Sequence, residues 1–313
     1  MSRSPLCSVV VPAFNAERFL DDTIHSVVKQ SHPSWELLVV DDGSSDRTLE
    51  VAKAIQHPRV RLFTQANGGS SVARNKGLRE SRGQYVVFLD ADDRLRPTAL
   101  ARLVGALENA PGCVVAYGEI RAISAEGDAL DIRPSRLVKR SSGDLLGALL
   151  VRNLIITPGA ACVRRSSLAE VGSFDERLRV GEDWEFWCRL AGIGEFSYVG
   201  GEPVADYRVH PASSVRTDGL DITHEFECID AIYSNPKLEE RFDEATLAGY
   251  RRRSDAAAHS FVADRHIKAR DWQRAREHLV EALRRDPWRV REILILAFCV
   301  SRWMPKWVER SIK

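Results

Sequence analysis

From Ser8 to Leu89 the chain alternates short, unbroken apolar runs with longer stretches whose apolar residues recur at helical spacing. Ser8 to Val11, Glu36 to Val40, Val60 to Phe63 and Tyr85 to Leu89 read as strands, and the unbroken apolar run of Tyr85 to Leu89 suits a central strand covered on both faces. Pro12 is expected to stop the first of them. Between the strands, Phe19, Ile24, Val27 and Val28 mark one helix with Asn15 as its expected N-cap, and Leu49, Ala52 and Ile55 mark a second. A third runs through Val72, Ala73 and Leu78 and ends before Gly83. Strand and helix in alternation predict an α/β fold: a Rossmann-like, mostly parallel sheet flanked by helices on both faces. Pro12, Asp42 and Asp90 then leave the sheet along one rim, at the carboxyl ends of the strands, where open α/β sheets bind ligands.

Further on, Pro97 to Glu108 reads as a helix, and Val114 to Tyr117 and Gly159 to Val163 as strands. Gly181 to Leu190 opens a helix with a polar first turn and an aromatic inner face, and Tyr207 to Ser214 is a strand end passing into a polar loop. Beyond about Asp218 the sequence becomes helix-forming and rich in charge, so two regions are expected: an α/β domain over residues 1–217 and a helical C-terminal region over 218–313. Ala275, Leu279, Ala282 and Pro287 fall at the offsets of the second helix of a tetratricopeptide-like hairpin, with no second repeat visible.

Composition narrows the function more than the fold. With 45 Lys and Arg against 44 acids in 313 residues, the net charge of +1 provides no overall attraction to nucleic acid or acidic lipid. The six cysteines are scattered among apolar neighbours without a Cys-x-x-Cys pair, which points to a reducing compartment and no zinc site. Met1 to Phe14 is too short for a signal peptide and Ile293 to Val300 too short for a membrane span, so a cytoplasmic protein is expected.

The candidate chemistry lies where burial ends. After Tyr85 to Leu89 come Asp90-Ala91-Asp92-Asp93, and Asp90 and Asp92, one residue apart at a strand's carboxyl end, suit one hard cation or one sugar nucleotide. The same acids would also fit a solvated turn. Glu182 and Asp183, at the start of a helix, would also complement its dipole.

Six stretches together carry a resemblance: Val10 to Asn15, Asp41 to Asp46, the Asn67 to Gly77 loop and helix, Asp90 to Asp93, Gly172 to Glu176, and Gly181-Glu182-Asp183. Their order and spacing over roughly residues 6–215 resemble family 2 glycosyltransferases of the GT-A fold. The resemblance implies that Pro12 and Phe14 line a nucleotide pocket, that Asp42 accepts from a base N–H, and that Arg74 approaches the diphosphate. It places Asp90, with Ala91 beside it, on the ribose and Asp92 on a divalent cation, Mg²⁺ or Mn²⁺, with Asp90 and His210 as further contacts. Asp183 corresponds to the catalytic base, with Glu182 and Trp184 on the acceptor side. The implied activity is inverting transfer of a single sugar from a nucleotide donor, a UDP-sugar first, to a hydroxyl on a glycan or lipid-linked acceptor, in polysaccharide, cell-envelope or glycolipid synthesis. Processive members add a Gln-x-x-Arg-Trp motif, whereas here Gln273 and Arg276 are followed by Glu277.

Two other readings remain. A sugar nucleotidyltransferase would need a Gly-rich basic loop after its first strand, which Pro12 to Arg18 lacks; a non-catalytic scaffold would not need Asp42, Asp90, Asp92 and Asp183 together. The end of the chain, Arg284 to Lys313, carries eight basic residues against three acids, interleaved with Trp288, Trp303 and Trp307. That pattern fits either a peripheral contact with anionic lipid or packing against protein.

Overall fold

The computed structural model describes residues 5–131, 141–211 and 222–301. It divides into two compact units, Met1–Leu146 with Leu154–His210, and Gly147–Asn153 with Pro211–Lys313. The break expected after residue 217 falls outside the described residues, and the short segment 147–153 joins the helical unit, which its sequence does not announce.

The first unit is built on β1 (Cys7–Ala13), β2 (Trp35–Asp41), β3 (Val60–Thr64), β4 (Tyr85–Phe88), β6 (Cys113–Gly118), β8 (Ala161–Arg164) and β9 (Glu195–Val199), in the order β3-β2-β1-β4-β8-β6-β9. All neighbours run parallel except β8, which is antiparallel to both β4 and β6. A second sheet, β5 (Arg94–Leu95), β10 (Ala205–Arg208) and β7 (Ile120–Ile123), takes the chain away from the end of β4. Every residue of β2 and β4 is buried, which explains why these strands lack polar alternation. The helices of this unit are α1 (Leu20–Val28), α2 (Thr48–Ala54), α3 (Ser70–Glu80), α4 (Ala99–Asn109), α6 (Leu168–Val171) and α7 (Glu182–Ile193), whereas α5 (Leu146–Leu149) has all but its first residue in the second unit.

Two local expectations are corrected. Pro12 does not stop β1; it stays in the strand opposite Val40. Val10 accepts from Leu89 N, so the even-numbered residues of β1 face β4, and β4 pairs no further than Val10. The missing N–H of Pro12 therefore points where no ladder bond was available. Asn15 does not cap α1, which begins at Leu20 with Phe19 at its N-cap and no side-chain cap. Asn15 instead adopts φ 48° and its Oδ1 accepts from Ser45 N at 2.8 Å, while Glu17 N donates to Asp46 at 3.1 Å. The loops after β1 and β2 are thus stitched to each other, and Asn tolerates the left-handed turn this needs. Phe19, Ile24 and Val27 are buried as expected, but Val28 is only half-buried.

The second unit contains α8 (Ile222–Tyr233), α9 (Lys237–Arg241), α10 (Glu244–Lys268), α11 (Trp272–Arg285) and α12 (Val290–Ser301). Asp243 and Asp271 cap α10 and α11 by accepting from Thr246 N and Arg274 N. Ala263, Ile267, Ala275, Leu279 and Ile295 form its core with Trp272 and Leu296 against them, and Ala282 is buried too. The basic excess of this region is largely neutralised where it is described: Arg284 and Arg285 pair with Glu281, Arg289 with Asp286 and Glu292, and Arg291 with Asp264. Trp288 is 88% exposed, while Trp303 and Trp307 lie outside the described residues. Among the described residues no helix is long and apolar enough to cross a membrane.

The packing of α3 on β1 generates a stability prediction. A Cβ on Gly77 would come within 2.3 Å of Val10 Cγ1, so this helix lies close to its strand only because residue 77 has no side chain. In an open helix Gly→Ala would stabilise by roughly 0.5–1 kcal/mol, but overpacking costs about 1–3 kcal/mol and should win here. Gly77→Ala is expected to lower the urea midpoint without changing the m-value. A raised midpoint would show that α3 can lift off β1 freely.

Candidate active site

The rim at the carboxyl ends of β1, β2 and β4 brings together residues far apart in the chain. Asp42 follows β2 and is 2% exposed. Its Oδ1 accepts from Gly68 N at 2.9 Å and from Gln65 Nε2 at 2.7 Å, and its Oδ2 accepts from Gly69 N at 2.8 Å. Asp42 therefore shapes the loop that leads into α3 and keeps acceptor capacity on Oδ2. Gly69, at φ 92°, has the left-handed backbone that lets this loop turn into the helix. Phe14, directly after β1, is 51% exposed, and Pro12 within β1 is half-buried.

The three acids after β4 part company. Asp90 faces Arg74, whose Nη2 donates to it at 2.7 Å. Asp92 faces His210, with 2.9 Å between Oδ2 and Nε2. Asp93, only 1% exposed, turns inward and accepts from Thr157 Oγ1 at 2.6 Å and from Arg208 N at 2.9 Å. Burial, with the charges of Asp92 and Asp90 added, pushes the Asp93 carboxyl well above the ordinary carboxylate range. Asp93 belongs to the frame, not to the open face of the site. Arg208 completes that frame: Nε donates to Asp92 O at 2.7 Å, Nη1 to Ala125 O at 2.8 Å and Nη2 to Asp22 at 2.6 Å. The Thr23 hydroxyl lies 2.8 Å from both Ala91 O and Asp93 O.

The remaining acids come from α7. Arg74 Nη1 donates to Glu182 Oε1 at 2.6 Å, and Ser70 Oγ donates to the same oxygen at 3.0 Å. Arg74 is thus shared between Asp90 and Glu182 and is 4% exposed. Burial alone would lower its pKa, but the two carboxylates more than offset that and raise it, so the guanidinium stays charged. Its face lies over the Phe174 ring, with 5.3 Å from Cζ to the centroid. Asp183 accepts from Trp184 N at 2.7 Å, and its carboxyl is pushed up to about 7 by burial and by Glu182, against the pull of Arg74. Trp184 and Trp187 are both buried and pack in the core behind α7.

Pro12, Phe14, Asp42, Arg74, Asp90, Ala91, Asp92, Glu182, Asp183, Trp184 and His210 therefore all lie on or behind one rim of the first unit. Arg74 is held by the carboxylates of Asp90 and Glu182 and so ties the first turn of α7 to the acid that follows β4. Sequence reasoning missed Thr23, Ser70, Asn75, Thr157 and Arg208. Only Arg208 left a signal, as the charged residue of an otherwise strand-like Tyr207-Arg208-Val209. Among the described residues no group of three or more His, Cys, Asp or Glu side chains is assembled to hold a metal ion.

Residues 8–172 match the model of the family described as Glycosyl transferase family 2, which is just over half of the chain. A Bacillus subtilis (strain 168) protein named as a teichuronic acid biosynthesis glycosyltransferase, TuaG, is 30% identical over 208 residues, covering 66% of this chain and 79% of that protein. The succinoglycan biosynthesis protein ExoO of Rhizobium meliloti (strain 1021) is 29% identical over 288 residues, covering 90% of this chain and 77% of that one. Among solved structures, S. aureus TarS 1-349 in complex with UDP-GlcNAc superposes with a TM-score of 0.68 at 18% identity, covering 98% of this chain and 89% of that chain, a likeness of fold. With its mostly parallel α/β sheet, its acidic rim and a family match across that sheet, the chain belongs to glycosyl transferase family 2 and is a glycosyltransferase.

Proposed function

We propose that this enzyme transfers a single sugar, with inversion, from a UDP-sugar to a hydroxyl of a cell-envelope glycan or lipid-linked acceptor. The observation that carries the reading is the rim on which Phe14 and Asp42, after β1 and β2, lie with the acids that follow β4 and with the Asp183 carboxylate in the first turn of α7. The relatives support the substrate class: TuaG and ExoO are named for teichuronic acid and succinoglycan biosynthesis, and TarS was solved with UDP-GlcNAc.

The residues present fit a divalent cation. Asp92 and His210 converge on one another at 2.9 Å, Asp90 is close by in sequence, and diphosphate oxygens would supply the other positions, as they do in many Mg²⁺ sites. Asp92, with His210 and Asp90, would hold it, and bound there it supplies neutralisation of the charge that builds on the departing diphosphate. The protein's own groups do the rest. Phe14 offers a face for the base and Asp42 Oδ2 an acceptor for its N–H. Asp183 takes the acceptor's proton as the hydroxyl oxygen bonds to the anomeric carbon and the bond from that carbon to the diphosphate breaks, its electron pair leaving with UDP. Attack from the face opposite the leaving group inverts the anomeric centre.

Three expected outcomes test this. Calorimetry with UDP should show binding with Mn²⁺ or Mg²⁺ that largely disappears in excess EDTA; equal affinity in both would assign the neutralisation to Arg74 alone. Asp92→Asn should weaken UDP binding and slow transfer together, whereas Asp183→Asn should keep UDP affinity and lose roughly 10²–10⁴ in rate, as expected for a general base. A carboxyl with a pKa of about 7 is protonated, and useless as a base, below that pH. The kcat/KM of UDP release from UDP-N-acetylglucosamine should therefore rise about tenfold per pH unit up to about 7 and then level. A profile flat from pH 5 to 8 would exclude Asp183 as the group that titrates.

A further inference from the structure

Asp183 does not reach the rim on its own. Its carboxylate accepts from Trp184 N within the first turn of α7, so it goes wherever that turn goes. The turn begins at Gly181, at φ 79°, and a glycine brings no side chain to cap it. Side chains of α3 hold its Glu182. Ser70 Oγ and Arg74 Nη1 both donate to Glu182 Oε1, at 3.0 and 2.6 Å, and these two residues lie one helical turn apart on the same face of α3. Next to Arg74, the buried Asn75 donates from Nδ2 to Phe174 O and accepts at Oδ1 from Phe174 N, both at 2.9 Å, and Nδ2 also reaches Glu176 Oε1 at 2.9 Å. An amide that exchanges two hydrogen bonds with one backbone residue fixes it much as a neighbouring strand would. Phe174 then stacks on Phe186 of α7, with ring centroids 4.4 Å apart.

The same helix is also fixed to the strands that carry the rim. Gly68 and Gly69, just before it, donate to Asp42; Arg74 donates to Asp90; and Gly77 sits against Val10 of β1. One helix therefore touches the group expected to read the base, the acid after β4 and the first turn of α7.

We propose that α3 seats the catalytic helix against the donor site, and that Glu182 and Asn75 are positioning residues that set where the Asp183 carboxylate stands. Glu182 is then neither the base nor an acceptor contact. This rests on the reading of Asp183 as the base, but the geometric claim can be tested without turnover. Amide hydrogen exchange on the full chain, with no substrate, should show residues 174–186 exchanging at least severalfold faster in Glu182→Gln and in Asn75→Ala, with β1 and β2 unchanged. Parent-like exchange at 174–186 in Glu182→Gln overturns the proposal, and that variant, which keeps the side chain's shape, decides the matter even where Asn75→Ala proves too unstable to purify.

Kinetics supply the second readout. In UDP release from UDP-N-acetylglucosamine with Mn²⁺, Glu182→Gln should lower kcat by roughly 10- to 10²-fold, the scale of a misplaced catalytic group, and leave the donor KM within about threefold. Its acid limb should persist but move to lower pH, because the negative charge of Glu182 helps to raise Asp183. A limb that vanishes in Glu182→Gln would make Glu182 the base, and a raised donor KM at unchanged kcat would make it a donor ligand; either result overturns the proposal. Failure of the underlying reading looks different: Asp183→Asn would then release UDP at the parent rate.

Discussion

A single buried guanidinium makes the rim possible. Asp90, Asp92, Glu182 and Asp183 arrive from a strand end and a helix start, and each would repel the others in a region that water reaches poorly. Arg74 lies between Asp90 and Glu182 with charge-assisted bonds to both, and an arginine cannot relieve its burial by giving up its proton. Removing one partner of such a buried pair typically costs about 3–5 kcal/mol, because the other charge is left uncompensated. Among the described residues Arg74 bonds to two of these four carboxylates. Bringing an anionic diphosphate there without a further cation would be unfavourable, and that charge balance is the physical basis for expecting a divalent ion beside Asp92 and His210.

The same reasoning explains why the acids after β4 are not interchangeable. Asp93 is satisfied by Thr157 and by the backbone of Arg208, and its environment favours the neutral form. Arg208 in turn bonds to the carbonyl of Asp92 and to Asp22, so the turn is clamped from below while Asp90 and Asp92 point outward. The clamp lets two outward carboxylates hold their geometry before any ligand arrives, which lessens the ordering needed on binding.

The parts of this protein legible in the sequence are those where one residue's neighbours in the chain are also its neighbours in space. Strands β1, β2 and β4 and helices α4 and α7 are predicted by apolar periodicity because their burial follows from their own pattern. The rim follows as well, since parallel strands must end on the same side. What fails is local chemistry that another segment overrides. Asn15 has the side chain of an N-cap but spends it on Ser45, thirty residues away, and Pro12 stays in a strand because its neighbouring strand has already ended. The side chains that hold Glu182 and Phe174 illustrate the limit better. Ser70, Arg74 and Asn75 look, in sequence, like the polar face of an ordinary helix, and only the fold reveals that this face is turned toward α7.

That burial of a polar face also accounts for the weak apolar pattern of α3. Ser71, Ala73, Arg74, Asn75, Gly77 and Leu78 are all buried, a set with little hydrophobic surface to offer. A helix of this composition gains little from apolar burial, so its place depends on Gly77 meeting Val10 closely and on charge and amide bonds at Arg74 and Asn75. Such contacts are directional where hydrophobic packing is not, and direction is what a site needs when a carboxylate on one element must be aimed at a ligand held by another.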